Sequence, residues 1–270
     1  MKRVIFTLLY GDGSFHLSRN FRLQRIGDVA WLERNYDFSR VGFAIDELVV
    51  LDVSRGPRDA VAFASALERI TRSCFAPVAA GGGIRTLEDA HHLLRSGADK
   101  VVVNTALVDA PDAVAEIART YGAQCVVASV DVVGTAEGPT VVVDRGTRPV
   151  GPAASILRRV VDLPIGEILL TSVDRDGTGQ GLSLELVDAV PGTARCPLIL
   201  SGGVGYSSHI EAGLSHPRID AVATANLLNF VGDGLERARV ETIARGVDLA
   251  RFDAAIARRL ADIFGAGSSA

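Results

Sequence analysis

Pro77-Val78-Ala79-Ala80-Gly81-Gly82-Gly83-Ile84 decides the fold, because it returns 120 positions later as Pro197-Leu198-Ile199-Leu200-Ser201-Gly202-Gly203-Val204. Working outward, Ile45-Asp46-Glu47-Leu48-Val49-Val50 returns at the same offset as Ile165-Gly166-Glu167-Ile168-Leu169-Leu170. Lys100-Val101-Val102-Val103-Asn104-Thr105 matches Ala221-Val222-Ala223-Thr224-Ala225-Asn226, and Arg3-Val4-Ile5-Phe6-Thr7-Leu8-Leu9 matches Cys125-Val126-Val127-Ala128-Ser129-Val130-Asp131. A repeat of this length is half a domain, well beyond the roughly 20–50 residues of a solenoid unit. The two halves disagree at one conspicuous place, where Asp131 in one faces Leu9 in the other.

Eight short apolar runs carry the repeat: Val4–Leu9, Leu48–Val53, Pro77–Ala80, Val101–Asn104, Cys125–Asp131, Ile168–Val173, Pro197–Ser201 and Ala221–Ala225. Their nearly continuous hydrophobicity suits strands covered on both faces, as in a parallel sheet. Helical patterns fill the gaps. Thr86-Leu87-Glu88-Asp89 and Ser208-His209-Ile210-Glu211 each read as a capping box at a helix start. The pattern predicts a single closed (β/α)8 TIM barrel over 1–270, with half-barrels at about 1–122 and 123–250 and a frayed tail at 265–270. An open doubly wound sheet is the alternative.

With 270 residues, 48% of them hydrophobic, the chain can bury a large core. A net charge of −4 offers no basic footprint for nucleic acid. Cys74, Cys125 and Cys196 are too widely spaced for a metal site or a disulfide framework and read as buried thiols. The apolar run after Lys2-Arg3 ends at Gly11-Asp12-Gly13, too short for a signal peptide, and no run is long enough to span a membrane. The expectation is a cytoplasmic protein without membrane contact.

In a barrel of this kind, chemistry gathers at the C-terminal ends of the strands. There Gly81-Gly82-Gly83 follows the third run and Asn104-Thr105 closes the fourth, while Gly202-Gly203 and Ala225-Asn226 repeat them. Glycines let a backbone approach an anion closely, and N–H groups leading into a helix favour negative charge. Two such cradles suit a substrate with a phosphate at each end; tight strand-to-helix turns are the plainer reading.

These residues resemble the HisF family, the cyclase subunit of imidazole glycerol phosphate synthase. The likeness extends over almost the full length, through Ile45–Asp52, Gly81–Ile84, Gly97–Val101 and above all Glu167-Ile168-Leu169-Leu170-Thr171-Ser172-Val173-Asp174-Arg175-Asp176-Gly177-Thr178. The resemblance implies ammonia delivered by a HisH-like glutaminase at the N-terminal barrel face and carried to a bis-phosphorylated substrate at the other end, with no cofactor and no metal. By the same likeness, Gly83, Asn104 and Thr105 would hold one phosphate, and Asp176, Gly177, Gly203, Ala225 and Asn226 the other. Arg3, Glu47, Lys100 and Glu167 match the family's ammonia gate, their plainer role being a structural plug. Asp46, Asp99 and Gln124 lie at the same end as candidates for the glutaminase interface.

The family's reaction uses a carboxylate at the end of the first strand and another at the end of the fifth. Asp131 fills the second position as a general acid or base; the first is Leu9. Asp12, in the Asp-Gly turn, is the substitute at hand, although a turn residue is its ordinary role. The family's loop lysine falls at Leu17, its serine at Asn226, and its histidine after the last strand at Asn229. Arg19, Arg22 and Arg25 could reach an anion in the lysine's stead, and Tyr10 and Phe15 suggest an altered lining of the mouth. Three readings follow. The first is a divergent HisF-like subunit that conducts ammonia in a glutamine-amidotransferase complex, with a sugar amidotransferase of surface-polysaccharide synthesis as a further partner. The second is a cyclase of histidine biosynthesis working through Asp131. The third, a sugar-phosphate isomerase of the HisA type, leaves the gate residues unexplained.

Overall fold

The computed structural model describes residues 1–36, 38–72, 74–226, 232–252 and 259. Asn229 and the tail at 265–270 lie outside them. The first half runs β1 (Arg3–Gly11), β2 (Ser14–Arg19), β3 (Arg22–Gly27), α1 (Val29–Asn35), α2 (Phe38–Val41), β4 (Glu47–Asp52), α3 (Ala60–Thr71), β5 (Val78–Gly81), α4 (Leu87–Arg95), β6 (Lys100–Val103), α5 (Ala106–Asp109) and α6 (Pro111–Tyr121). The second runs β7 (Val126–Thr135), β8 (Gly138–Val143), β9 (Arg148–Pro152), α7 (Ala153–Val160), β10 (Glu167–Ser172), β11 (Leu198–Ser201), α8 (Ser207–Leu214), β12 (Ala221–Thr224) and α9 (Gly234–Ala244). The parallel strands β1, β4, β5, β6, β7, β10, β11 and β12 pair in that order, and β12 closes on β1. The fold is a closed (β/α)8 barrel, and the open-sheet alternative falls.

Strand alternation divides the apolar residues into two layers. Val4, Phe6, Leu8 and Tyr10 of β1 point outward into the core beneath the helices. Ile5, Val49, Ala79, Val102, Val127, Leu169 and Ile199 point inward and fill the barrel with Ala221 and Ala223. Tyr10 therefore belongs to the outer core, where it packs edge-on against Phe15 at 5.6 Å and beside Phe63 at 5.3 Å. This corrects the expectation that these aromatics line the mouth: position 10 has the wrong parity.

Helices were expected in every gap, but the first element after β1 and after β7 is an antiparallel ribbon. β2 pairs with β1, placing His16 across from Leu9, and β8 pairs with β7, placing Val142 across from Asp131. The β-branched run Thr140-Val141-Val142-Val143 before the Asp144-Arg145-Gly146 turn is a hairpin signal visible in the sequence. After β10 only a 3-10 turn over Leu184–Ala189 replaces a helix. Thr86 and Asp89 form the expected capping box of α4. The second box is absent: α8 begins two residues earlier than expected, after Tyr206, and Ser208 lies inside it.

Candidate functional site

At the N-terminal end, the first inward positions of β1, β4, β6 and β10 are Arg3, Glu47, Lys100 and Glu167. Their side chains meet in an alternating ring. Arg3 reaches Glu47 at 3.1 Å and Glu167 at 2.7 Å; Lys100 reaches the same two carboxylates at 2.8 and 2.9 Å. β4 and β10 stand on opposite sides of the barrel, so the pairs bridge its floor. Burial pushes the Glu47 carboxyl up, Lys100 opposes this, and Glu167 adds to it. Burial works against the Lys100 ammonium, but the Glu47 and Glu167 carboxylates outweigh it and raise its pKa. Glu47 Oε1 is buried without a hydrogen bond among the described residues, so one acceptor of the ring is spare. Above the ring lies the apolar sleeve built around Ile5, Val49, Ala79, Val127, Ala221 and Ala223.

Around this floor, acidic residues just before a strand cap the start of its neighbour. Asp46 accepts the Val4 N–H at 2.7 Å, Asp99 the Val78 N–H at 2.8 Å and Asp220 the Leu198 N–H at 2.9 Å. Asp46 also receives both Arg239 amino groups at 2.9 Å, and Arg239 is itself buried. The Asp46 carboxylate thus faces inward, so it is a strand-end clamp and not a free docking group. Asp99 and Gln124 are exposed at this end.

At the other end, a cavity of about 190 Å³ is lined by Gly82, Gly83, Asn104, Thr105, Leu9 and Asp131, among others. Gly82 adopts φ +112°, and a side chain there would meet the Asp52 carbonyl oxygen at 2.3 Å; its repeat-mate Gly202, at φ +97°, would meet the Ser172 carbonyl at 2.5 Å. In both halves the turn needs glycine for conformation and for space alike. Thr105 shares its hydroxyl with Asp144 across 3.4 Å. Sequence reasoning missed the arginines of this wall. Arg55, Arg58, Arg85 and Arg145 all line the cavity, from the loops after β4 and β5 and the β8–β9 turn. The cluster Ser54-Arg55-Gly56-Pro57-Arg58, placed just past the end of a barrel strand, is the signal that could have found two of them.

The second cavity, of about 640 Å³, is lined by Arg19, Arg22, Gly177, Gly203, Ala225 and Asn226, with Asp176 and Ser18 on the wall common to both cavities. The β2–β3 ribbon forms its roof. Asp176 Oδ2 accepts from the Ser18 hydroxyl and, at 3.1 Å, from the Phe21 N–H, while the Asn20 side chain donates to the Val173 and Asp174 carbonyls. A side chain at Gly177 would meet the Ser18 carbonyl at 1.9 Å. In this conformation Asp176 and Gly177 hold the ribbon tip instead of facing an open cradle. Leu17 lines the same cavity, whereas Arg25 turns aside to the Ser14 hydroxyl at 2.7 Å.

Asp131 sits at the mouth of β7 and accepts from Asn104 Nδ2 at 3.0 Å. Burial raises its pKa to about 7, the Asp176 carboxylate adds to the rise, and Asn104 offsets part of it. A carboxyl that titrates near neutrality can both give and take a proton. Asp12 does not join it: it is exposed in the β1–β2 turn with φ +49°, its N–H on the Ser54 hydroxyl. The second carboxylate electrostatically coupled to Asp131 is Asp176, whose own pKa burial also raises.

The chain matches the family model described as "Histidine biosynthesis protein" over residues 30–232. Over 253 residues it is 48% identical to hisF2 of Parasynechococcus marenigrum (strain WH8102), provisionally named an imidazole glycerol phosphate synthase subunit, covering 93% of this chain and 94% of that one. With the closed barrel and this likeness together, the chain belongs to the HisF family of histidine-biosynthesis proteins.

Proposed function

We propose that this chain is the barrel subunit of a glutamine-dependent complex. A HisH-like glutaminase docks on the N-terminal face, around exposed Asp99 and Gln124. Ammonia then passes the ring of Arg3, Glu47, Lys100 and Glu167 and crosses the sleeve to a phosphorylated or nucleotide-sugar acceptor system at the mouth. The setting is sugar amidation for surface polysaccharide, with a sugar amidotransferase as the further partner. Gly83, Asn104 and Thr105 serve one anionic group, and Gly203, Ala225 and Asn226, with Asp176 and Gly177 once the ribbon lifts, serve another. The observation that carries this reading is a complete floor ring beneath a mouth in which Leu9 stands where the repeat places a carboxylate. Leucine can neither donate nor accept a proton, and loss of a general acid or base costs about 10²–10⁴ in rate.

The test is reconstitution with the glutaminase. Lys100→Met leaves Arg3 to balance both Glu47 and Glu167, and glutamine-dependent ammonia transfer should fall by roughly tenfold, within the usual range of coupling between sites. Transfer at the unaltered rate would overturn the gate assignment.

One observation favours cyclisation as a second reading. Asp131 titrates near neutrality beside a second carboxyl, Asp176, so two proton-transfer groups are present without Leu9. Supplied with ammonia and the histidine-pathway intermediate, the purified chain would then turn over at a rate that Asp131→Asn abolishes. Under the conduit reading it shows no such turnover, and Leu9→Asp does not restore it.

A further inference from the structure

Four arginines on one wall of the mouth exceed what a single phosphate cradle requires. We propose that this wall binds a pyrophosphoryl group, the two linked phosphates of a diphosphate ester, in preference to a phosphate monoester. The inference rests on the reading of the mouth as an anion site and names the class of anion.

The guanidiniums fall into two neighbouring sets. Arg58 stands directly over the glycine turn: a Cβ placed on Gly83 would lie 2.9 Å from its Cδ and 3.0 Å from its Nη1. Arg85 follows the same turn. Among the described residues both have only long carboxylate contacts, Arg58 to Asp52 at 3.5 Å and Arg85 to Asp144 at 3.6 Å. Asp144 is already held at 2.7 Å by Arg148, so it neutralises Arg85 little. Arg55 and Arg145 form the second set. Arg145 Nη1 donates to the Ser54 and Arg55 carbonyls, and Arg55 donates to the Arg145 and Phe21 carbonyls. These bonds fix the two guanidiniums against each other through neutral acceptors and cancel none of their charge.

Repulsion between neighbouring guanidiniums adds to burial at Arg58 and Arg55. Burial lowers the Arg58 pKa, Asp52 opposes this, and Arg145 and Arg85 add to it; burial and then Arg145 lower that of Arg55. One phosphoryl group can be served by the glycine turn, Asn104 and Thr105. The guanidinium fork matches a phosphate two oxygens at a time, so a second set beside the first fits a second phosphate joined to the first. In a chain of net charge −4, such a wall also draws polyanions selectively to the mouth.

Calorimetric titration of the full chain with inorganic phosphate, inorganic pyrophosphate and ADP, at one ionic strength, tests the inference. Pyrophosphate and ADP should each bind at least about tenfold tighter than phosphate, a preference that Arg145→Gln and Arg85→Gln should each cut several-fold. The Arg85 side chain is 62% exposed and makes a long contact with Asp144, so its variant keeps the test readable if Arg145→Gln disturbs the loops. Equal affinity for phosphate and pyrophosphate, or binding of neither, overturns the inference. ADP binding much more weakly than free pyrophosphate overturns its diphosphate-ester form. The ammonia reading fails separately: it is read from glutamine-dependent transfer in Lys100→Met, which anion affinity does not enter.

Discussion

The two half-barrels share a backbone plan and differ in what they place at the mouth. Both open with a long strand continued by an antiparallel ribbon, β1 into β2–β3 and β7 into β8–β9, and both have a glycine turn packed on the carbonyl at the end of a neighbouring strand. In the second half's opening strand, Asp131 takes a hydrogen bond from Asn104, the residue after adjacent β6. Leu9 is the repeat-mate of Asp131, and Ala225 is the repeat-mate of Asn104. A hydrogen-bonded polar couple on one side of the cavity is therefore replaced by an apolar couple on the other, not by one missing carboxylate alone. Restoring proton chemistry at position 9 would require a donor at 225 as well, since a buried carboxylate without a partner is costly.

The largest expected effect lies where the halves are alike. Ala at Gly82 or Gly202 combines a left-handed φ with a carbonyl oxygen 2.3 or 2.5 Å from the new Cβ. Each substitution should cost about 3 kcal/mol or more and lower Tm by roughly 6–12 °C. Thermal unfolding of both variants checks this. A large loss for one and little for the other would break the structural equivalence of the two turns.

The next effect lies where they differ. The Asp131 carboxyl titrates near 7 when folded but near 4 in an unfolded chain. The folded protein holds the extra proton between those values, so stability falls as pH rises from about 4 through about 7 and is level above. Three pH units would amount to about 4 kcal/mol; contact with the water of the cavity reduces this to about 2. Asp131→Asn keeps a partner for Asn104 and removes the charge. It should therefore stabilise the protein by about 2 kcal/mol at pH 8 and by almost nothing at pH 4. Denaturant unfolding at the two pH values measures it, and an equal effect at both would show that burial does not perturb Asp131. In the other half, Leu9→Asp should reverse the sign, destabilising most at pH 8.

The repeat made the barrel legible, because near-continuous apolar runs at matching offsets have few other solutions. The same offsets located the ring residues at strand starts and the glycines at strand ends. What escaped was information that strand spacing does not carry. The parity of Tyr10 could be read only once the inward set of β1 was known. The first ribbon was hidden because short amphipathic stretches such as Ser14–Arg19 carry no period long enough to exclude a helix. Arg55 and Arg145 come from loops 90 residues apart, and only the closed barrel brings them together. Asp46 shows the converse. Its place at the floor was legible, but its buried partner Arg239 lies 193 residues away and could not be foreseen.

The smallest effect separates a repeat in sequence from a repeat in structure. Thr86 and Ser208 occupy equivalent positions, each three residues ahead of a carboxylate. Thr86 precedes α4, where its hydroxyl accepts the Asp89 N–H at 3.2 Å and Asp89 Oδ2 accepts the Thr86 N–H at 2.9 Å. Two donors that the first helical turn would otherwise leave unsatisfied are thus satisfied. Ser208 is exposed within α8, and Glu211 turns instead to Arg245 at 3.3 Å. Thr86→Ala should then cost about 1 kcal/mol, a fall of roughly 2–4 °C in Tm. Ser208→Ala, which exchanges a weaker helix former for the best, should change stability by no more than about 0.5 kcal/mol and in the favourable direction. Equal losses in the two variants would mean that α8 does begin with Ser208 as its cap and that the halves match more closely than this start allows.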